Sequence, residues 1–280
     1  MILVADSGAT KTDWCCIHNN GRYEELTTLG LNPNSRSQEE IDQIIEGLPF
    51  RRGDVREVHF YGAGYGEYED VDNIERTFSK MFKKSKIYIE TDLLGAARAC
   101  LGKESGIIAI LGTGSNSGYY NGSYISESLP NLGYILGDKG SGVDIGKALL
   151  RDFFYQRMPV HVRQEFSLTR SELIRRLYKE SAPNTFIASQ AGVIFRIQKD
   201  AYIKKLIQSS FDGFIEDDIL SYPQSKNSTI NFVGSIAFLF KDILQSSLHR
   251  YNLSIGKVIQ EPIDLLREYH LKPGLIIDES

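Results

Sequence analysis

The chain has 280 residues, 41% hydrophobic and 24% charged, which is enough for a sizeable core and, by ordinary domain size, for two domains. Its net charge of -4 argues against a general nucleic-acid-binding surface. No apolar run approaches a membrane span, and the amino terminus meets Asp6 too early for a signal peptide.

The first strand is predicted in the apolar run ending at Ala5, and continuous apolarity reads as burial on both faces. It runs into Asp6 and the turn Ser7-Gly8-Ala9-Thr10-Lys11-Thr12. An ionised carboxylate at a central strand end is costly to bury unless something compensates it, and a cation is one such compensator. Gly8 and Ala9 let backbone N–H groups approach a ligand, while Thr10, Lys11 and Thr12 add donors and one positive charge. Together they suit a metal-bound polyphosphate; the alternative is an ordinary polar hairpin turn. Cys15, Cys16 and Cys100 offer no paired spacing and the five histidines no metal-ligand spacing, which predicts reduced thiols, a cytoplasmic location and no histidine metal centre.

Further along, residues 14–18 and 22–29 read as strands joined at Asn19-Asn20-Gly21, followed by a polar loop containing Asn32, Pro33 and Asn34. Ser37 and Glu40 make a capping box before a helix with Ile41, Ile44, Ile45 and Leu48 on one face. A strand over 57–61 leads into Gly62-Ala63-Gly64-Tyr65-Gly66, and Val71, Ile74, Phe78 and Phe82 mark the next helix. A strand over 86–90 ends at Thr91-Asp92, before an Ala/Leu-rich helix to Leu101. The order is three strands, helix, strand, helix, strand, helix.

Much of that order recurs. Residues 107–111 form an apolar strand ending in Gly112-Thr113-Gly114-Ser115-Asn116-Ser117-Gly118; 119–126 read as a hairpin about Asn121-Gly122, and 132–136 as a third strand. The loop Gly137-Asp138-Lys139-Gly140-Ser141-Gly142 leads into a helix to about Tyr155. After a helical stretch at about 158–228, a strand over 229–233 ends in Gly234-Ser235, a helix runs to about Tyr251, a strand covers 257–260, and Pro262 opens a last helix. The expected division is 1–106 and 107–280. No G-x-x-x-x-G-K-[ST] occurs, and Gly112-Thr113-Gly114 is followed by strand-like residues, unlike a dinucleotide fingerprint.

Four polar loops thus stand at strand ends, at 6–12, 112–118, 137–142 and 234–235. This ordered set resembles the sugar kinase, heat-shock ATPase and actin superfamily. More closely it resembles the N-acetylglucosamine kinase branch and its relatives, the ATPase activators of acyl-CoA reductases and dehydratases. The resemblance covers nearly the whole chain. It implies an α/β fold of two ribonuclease-H-like, actin-like ATPase domains with a helical insertion in the second and ATP in the cleft between them. On that basis Asp6, Gly8, Thr10, Lys11 and Thr12 match the first phosphate motif, with Asp6 at the Mg²⁺. Gly112, Thr113, Gly114 and Ser115 match the second, and Gly234 and Ser235 the adenosine motif. Asp92 matches the catalytic base, and Asn32, Asn116 and Asp138 match positions that hold sugar hydroxyls. Each also has an ordinary structural reading; Asp92, for one, precedes a helix as an N-cap would. Lys139 departs from the family's usual Gly-Asp-Glu-Gly.

The resemblance implies phosphorylation of an amino sugar by ATP, with N-acetylglucosamine 6-phosphate as the leading product. Asp92 is expected to accept the 6-hydroxyl proton as the oxygen attacks the γ-phosphorus. The expected partner is a small amino sugar, with no nucleic acid or membrane; a homodimer is left open. Two alternatives stand beside this: an ATPase activator of a reductase or dehydratase, which needs cluster-ligating cysteines, and a sugar-binding regulator without turnover.

Overall fold

The uninterrupted apolar run at the amino terminus becomes β1 (Ile2–Ser7), the middle strand of a five-stranded sheet. The computed structural model describes residues 1–65 and 68–271, so Gly66 of the glycine-rich run lies outside the described residues. Strands β2 (Lys11–Ile17) and β3 (Tyr23–Leu29) follow β1 antiparallel, whereas β4 (Glu57–Gly62) and β5 (Lys86–Thr91) join in parallel on its other side. The order is β3-β2-β1-β4-β5. Parallel neighbours need crossovers, and the chain supplies α1 (Gln38–Glu46) and α2 (Tyr68–Met81). Ser37 and Glu40 form the predicted capping box on α1.

One face of this sheet carries the core of Trp14, Phe60, Phe78, Ile41 and Ile45. Trp14 is fully buried, and its indole N–H donates to Thr28 Oγ1 at 2.9 Å. The other elements packed on the sheet are α3 (Asp92–Leu101) and the last helix, α12 (Ile263–Leu271). This corrects the expected division at 106/107. Among the described residues, one unit comprises those up to Lys103 together with 262–271, and the other comprises Glu104–Glu261. Helix α12 packs on β1, β2 and α3, so the chain returns to its first unit at the end.

The second unit repeats the first sheet's topology. Strands β6 (Gly106–Leu111), β7 (Ser115–Tyr120) and β8 (Ile125–Ser128) are antiparallel, and β9 (Thr229–Val233) and β10 (Ser254–Ile259) are parallel to β6 and β9 in turn. The order is β10-β9-β6-β7-β8. Sequence periodicity misplaces two of these elements. Residues 132–136, expected as a strand, contain the short helix α4 (Gly133–Leu136), and the third strand is β8. Strand β7 starts inside the expected loop because its first residues, Ser115-Asn116-Ser117-Gly118, carry little apolar alternation to announce it.

Helix α5 (Gly142–Phe154) starts at the N-cap Ser141. Between it and β9 the regular elements are all helical: α6 (Val160–Arg163), α7 (Arg170–Tyr178), α8 (Pro183–Val193), α9 (Ala201–Asp217) and short 3-10 turns. Helix α9 places Ile203, Ile207, Phe211 and Phe214 in the core of the unit. The helix expected to Tyr251 is broken at Phe240 into α10 (Ser235–Leu239) and α11 (Lys241–Arg250). Among the described residues, no helix is long and apolar enough to cross a membrane.

Candidate active site

In the first unit the β1–β2 turn carries the residues expected to form the first phosphate motif. The Gly8 N–H donates to the Lys11 carbonyl at 2.9 Å, closing the turn, and Asp6 pairs with Asp13 across the two strands. Asp13 is mostly buried and engaged at both oxygens, by Lys11 Nζ at 2.7 Å and Thr27 Oγ1 at 2.7 Å. Asp6, the residue that the resemblance puts at the metal, lies near the end of β1 beside this pair. Thr12, expected at the phosphates, lies beneath the turn instead. It is fully buried, with its hydroxyl 2.8 Å from Ser7 Oγ and donating to the Leu29 carbonyl at 3.2 Å. The alternation of β2 turns its side chain inward and braces the turn from below. Thr10 accepts from the Gly30 N–H at 3.0 Å through its carbonyl. Asn32 is part-buried and organises its own loop, its Oδ1 accepting from the Asn34 N–H at 2.8 Å.

Asp92 is the first residue of α3, but it is not the N-cap. Thr91 holds that position, its hydroxyl accepting from the Leu94 N–H at 3.2 Å. The Asp92 carboxylate accepts from the Leu93 N–H at 2.8 Å, and burial pushes its pKa up to about 6 against that hydrogen bond. A buried carboxylate pushed up to about 6, on a helix whose N-cap is another residue, is suited to general-base work. Gly95, one turn further on, lets α3 lie directly on Tyr61 of β4: a Cβ there would stand 2.8 Å from the ring.

In the second unit the loop after β6 is pinned to the start of α5. The Gly142 and Val143 N–H groups donate to the Gly112 and Thr113 carbonyls at 2.8 and 3.1 Å. Two carbonyls that would repel a phosphate are thereby occupied. Gly234 holds φ +117°, and a Cβ there would meet the Leu111 carbonyl oxygen at 2.5 Å, so the adenosine-motif glycine packs against the root of this loop. Ser235 then opens α10.

The Ser115 N–H donates to Asp138 Oδ1 at 3.1 Å, joining the loop after β6 to the Asp138 loop. Asp138 adopts φ +60°, a left-handed conformation a non-glycine residue holds at some cost, and burial raises its pKa. Lys139 is half-exposed and faces Asp144 Oδ1 of α5 at 3.8 Å. A cavity of about 370 Å³ opens here, lined among others by Ser115, Asn116, Asp138, Asp217, Asp218 and Leu132. Its volume lies in the range of small-molecule sites, about 300–1,000 Å³. Asn116 and Asp138 are therefore brought together at one pocket, with Ser115 at its edge.

Sequence reading missed Asp217 and Asp218, at the end of α9. Asp218 is pushed up to about 6 by burial and by neighbouring Asp217. Two acids in a row at a helix C-terminus run against the helix dipole, and that was the available signal. That signal is weak in sequence, because the surrounding stretch has the apolar spacing of a packing helix.

The three cysteines are buried and none is in a disulfide. Burial raises Cys15 and Cys16 to about 11, which makes them poor thiolate ligands. Among the described residues, no group of three or more His, Cys, Asp or Glu side chains is placed to hold a metal ion.

No family model matches the chain. A solved structure from Porphyromonas gingivalis, whose description proposes an N-acetylglucosamine kinase, superposes with a TM-score of 0.90 at 35% identity, covering 96% of this chain and 98% of that one. A second, from Chromobacterium violaceum and described in the same terms, superposes at 0.62 with 16% identity over 96% and 98%, a likeness of fold alone. The N-acetylmuramic acid/N-acetylglucosamine kinase of Clostridium acetobutylicum is 29% identical over 190 residues, 65% of this chain. That match spans 56% of the curated relative's length.

Proposed function

The chain belongs to the N-acetylglucosamine kinase-like branch of the sugar kinase and actin-like ATPase superfamily, and from that membership we propose that it phosphorylates an amino sugar with ATP. N-acetylglucosamine, giving its 6-phosphate, is the leading substrate. One observation carries the reading: Ser115, in the loop that the resemblance assigns to the phosphates, also lines the cavity, and its N–H holds the Asp138 carboxylate. A pocket whose wall is a phosphate loop is built to put a bound hydroxyl near a transferable phosphoryl group.

In this scheme Asn116 and Asp138 bind sugar hydroxyls, and Asp92 accepts the proton of the attacking one. Phosphoryl transfer relies on positioning and charge neutralisation, so the loops at Gly8–Lys11 and Gly112–Ser115 serve chiefly to hold the ATP phosphates. Asp6 would hold Mg²⁺, which when bound supplies neutralisation of phosphate charge. With its pKa raised to about 6, Asp92 is a stronger base than an ordinary carboxylate and is still mostly ionised at neutral pH. The buried thiols, none of them in a disulfide, support a reducing, cytoplasmic setting.

The test is ADP release, coupled to a spectroscopic readout, across N-acetylglucosamine, glucosamine, N-acetylmannosamine, N-acetylmuramic acid and glucose. Sugar-dependent release fastest with N-acetylglucosamine is expected. ADP release independent of every sugar would defeat the kinase reading. The reductase-activator alternative is disfavoured by the buried, high-pKa cysteines, and iron bound after anaerobic purification would restore it.

A further inference from the structure

The cavity carries more acid than the sugar contacts assigned above account for. Its lining contains three acids, Asp138, Asp217 and Asp218, against one cation among the described lining residues, Lys139. The Lys139 ammonium lies 3.8 Å from Asp144 Oδ1, and so shares its charge with an acid outside the lining. The acids are not placed there by the needs of the helix. Asp217 ends α9 and Asp218 is its C-cap, where the dipole disfavours negative charge. Asp218 is also held in place: Ser117 Oγ lies 3.5 Å from its Oδ1 and 3.0 Å from the Tyr222 hydroxyl, with Ser117 buried between them. Tyr222 is positioned by the 3-10 turn that follows α9.

A concave site with low-dielectric walls concentrates such a field, and a like charge entering it is repelled over several ångströms. We propose that Asp217 and Asp218 make this pocket discriminate by charge, accepting neutral amino sugars and refusing hexosamines that carry a carboxylate. The inference rests on the sugar reading of the cavity given above. It adds a specificity role for two residues that neither bind phosphate nor accept the hydroxyl proton. It also separates, by charge alone, N-acetylglucosamine from an O3-lactyl sugar such as N-acetylmuramic acid.

Size and charge are separated by calorimetric binding without nucleotide, using N-acetylglucosamine, N-acetylmuramic acid and the neutral methyl ester of the latter. Wild-type protein is compared with the double variant Asp217→Asn/Asp218→Asn, whose second amide oxygen still offers Ser117 an acceptor. The acid is expected to bind about tenfold more weakly than its ester to wild type, a gap that narrows with added salt and largely closes in the double variant. Equal binding of acid and ester, or a gap the double variant leaves intact, overturns the proposal while leaving the kinase reading standing. Absence of any N-acetylglucosamine binding to the wild type removes the sugar reading and this proposal with it.

Discussion

Asp92 and Thr91 stand side by side at the start of α3 and divide two tasks that one residue often carries. Thr91 caps the helix, and Asp92 keeps a carboxyl whose pKa burial raises to about 6. Substituting each should therefore separate stability from turnover. Thr91→Ala is expected to cost about 1 kcal/mol in denaturant unfolding. Asp92→Asn should leave the cap intact and lower kcat by about two to four orders of magnitude. Turnover of Asp92→Asn within about threefold of wild type removes the base assignment. The pH dependence has a definite sign: the base is ionised above its pKa, so kcat in the wild type falls as pH drops through about 6. A kcat flat from pH 7.5 to about 5 would contradict it.

At the scale of elements, α3 is held from behind by a polar cluster that also engages α12. The Tyr61 hydroxyl accepts from Arg98 of α3 at 3.0 Å and lies 3.0 Å from His270 Nε2 of α12. The Arg98 guanidinium lies over the rings of Tyr61 and Tyr269. Tyr61→Phe removes the hydroxyl on which these two groups converge, and is expected to destabilise by about 1–3 kcal/mol, read as a shifted denaturant midpoint. Burial holds His270 at about 2, against 6.5 in an unfolded chain. Protons then favour the unfolded state, so this stabilisation is full above about 6.5 and declines as pH falls towards 2. Asp92, raised from 3.8 to about 6, acts in the opposite sense between those values. In the Asp92→Asn background, His270→Gln should flatten the acid-side loss of stability; an unchanged slope would show that the loss arises elsewhere.

For the whole molecule, the two units repeat one sheet topology but carry different duties in the proposed reaction. Asp6 and Asp92 belong to the first unit, and the cavity with Asn116 and Asp138 to the second. If the metal side and the sugar side are separable, Asp6→Asn should shift the Mg²⁺ concentration needed for half-maximal turnover at least about tenfold, with less than about twofold change in N-acetylglucosamine affinity measured by calorimetry without nucleotide. Magnesium titrations that superimpose on those of wild type would dismiss Asp6 from the metal role.

Local patterning alone determined much of this protein. The apolar run of β1, the Ser37–Glu40 box and the glycine-bearing strand ends are short-range features, legible because period and capping chemistry are written in neighbouring residues. From them followed the two-part α/β plan and the loops that bear Asp6, Gly112, Asp138 and Gly234. Tertiary structure decided what depends on distant partners. Thr12 looks like a phosphate donor until β2 pairs with β1 and turns it beneath the turn. The last helix follows the second unit in sequence, yet it buries its apolar side on the first. Asp217 and Asp218 became pocket residues only when the end of α9 met the Asp138 loop, because sequence separation conceals a contact that packing alone creates.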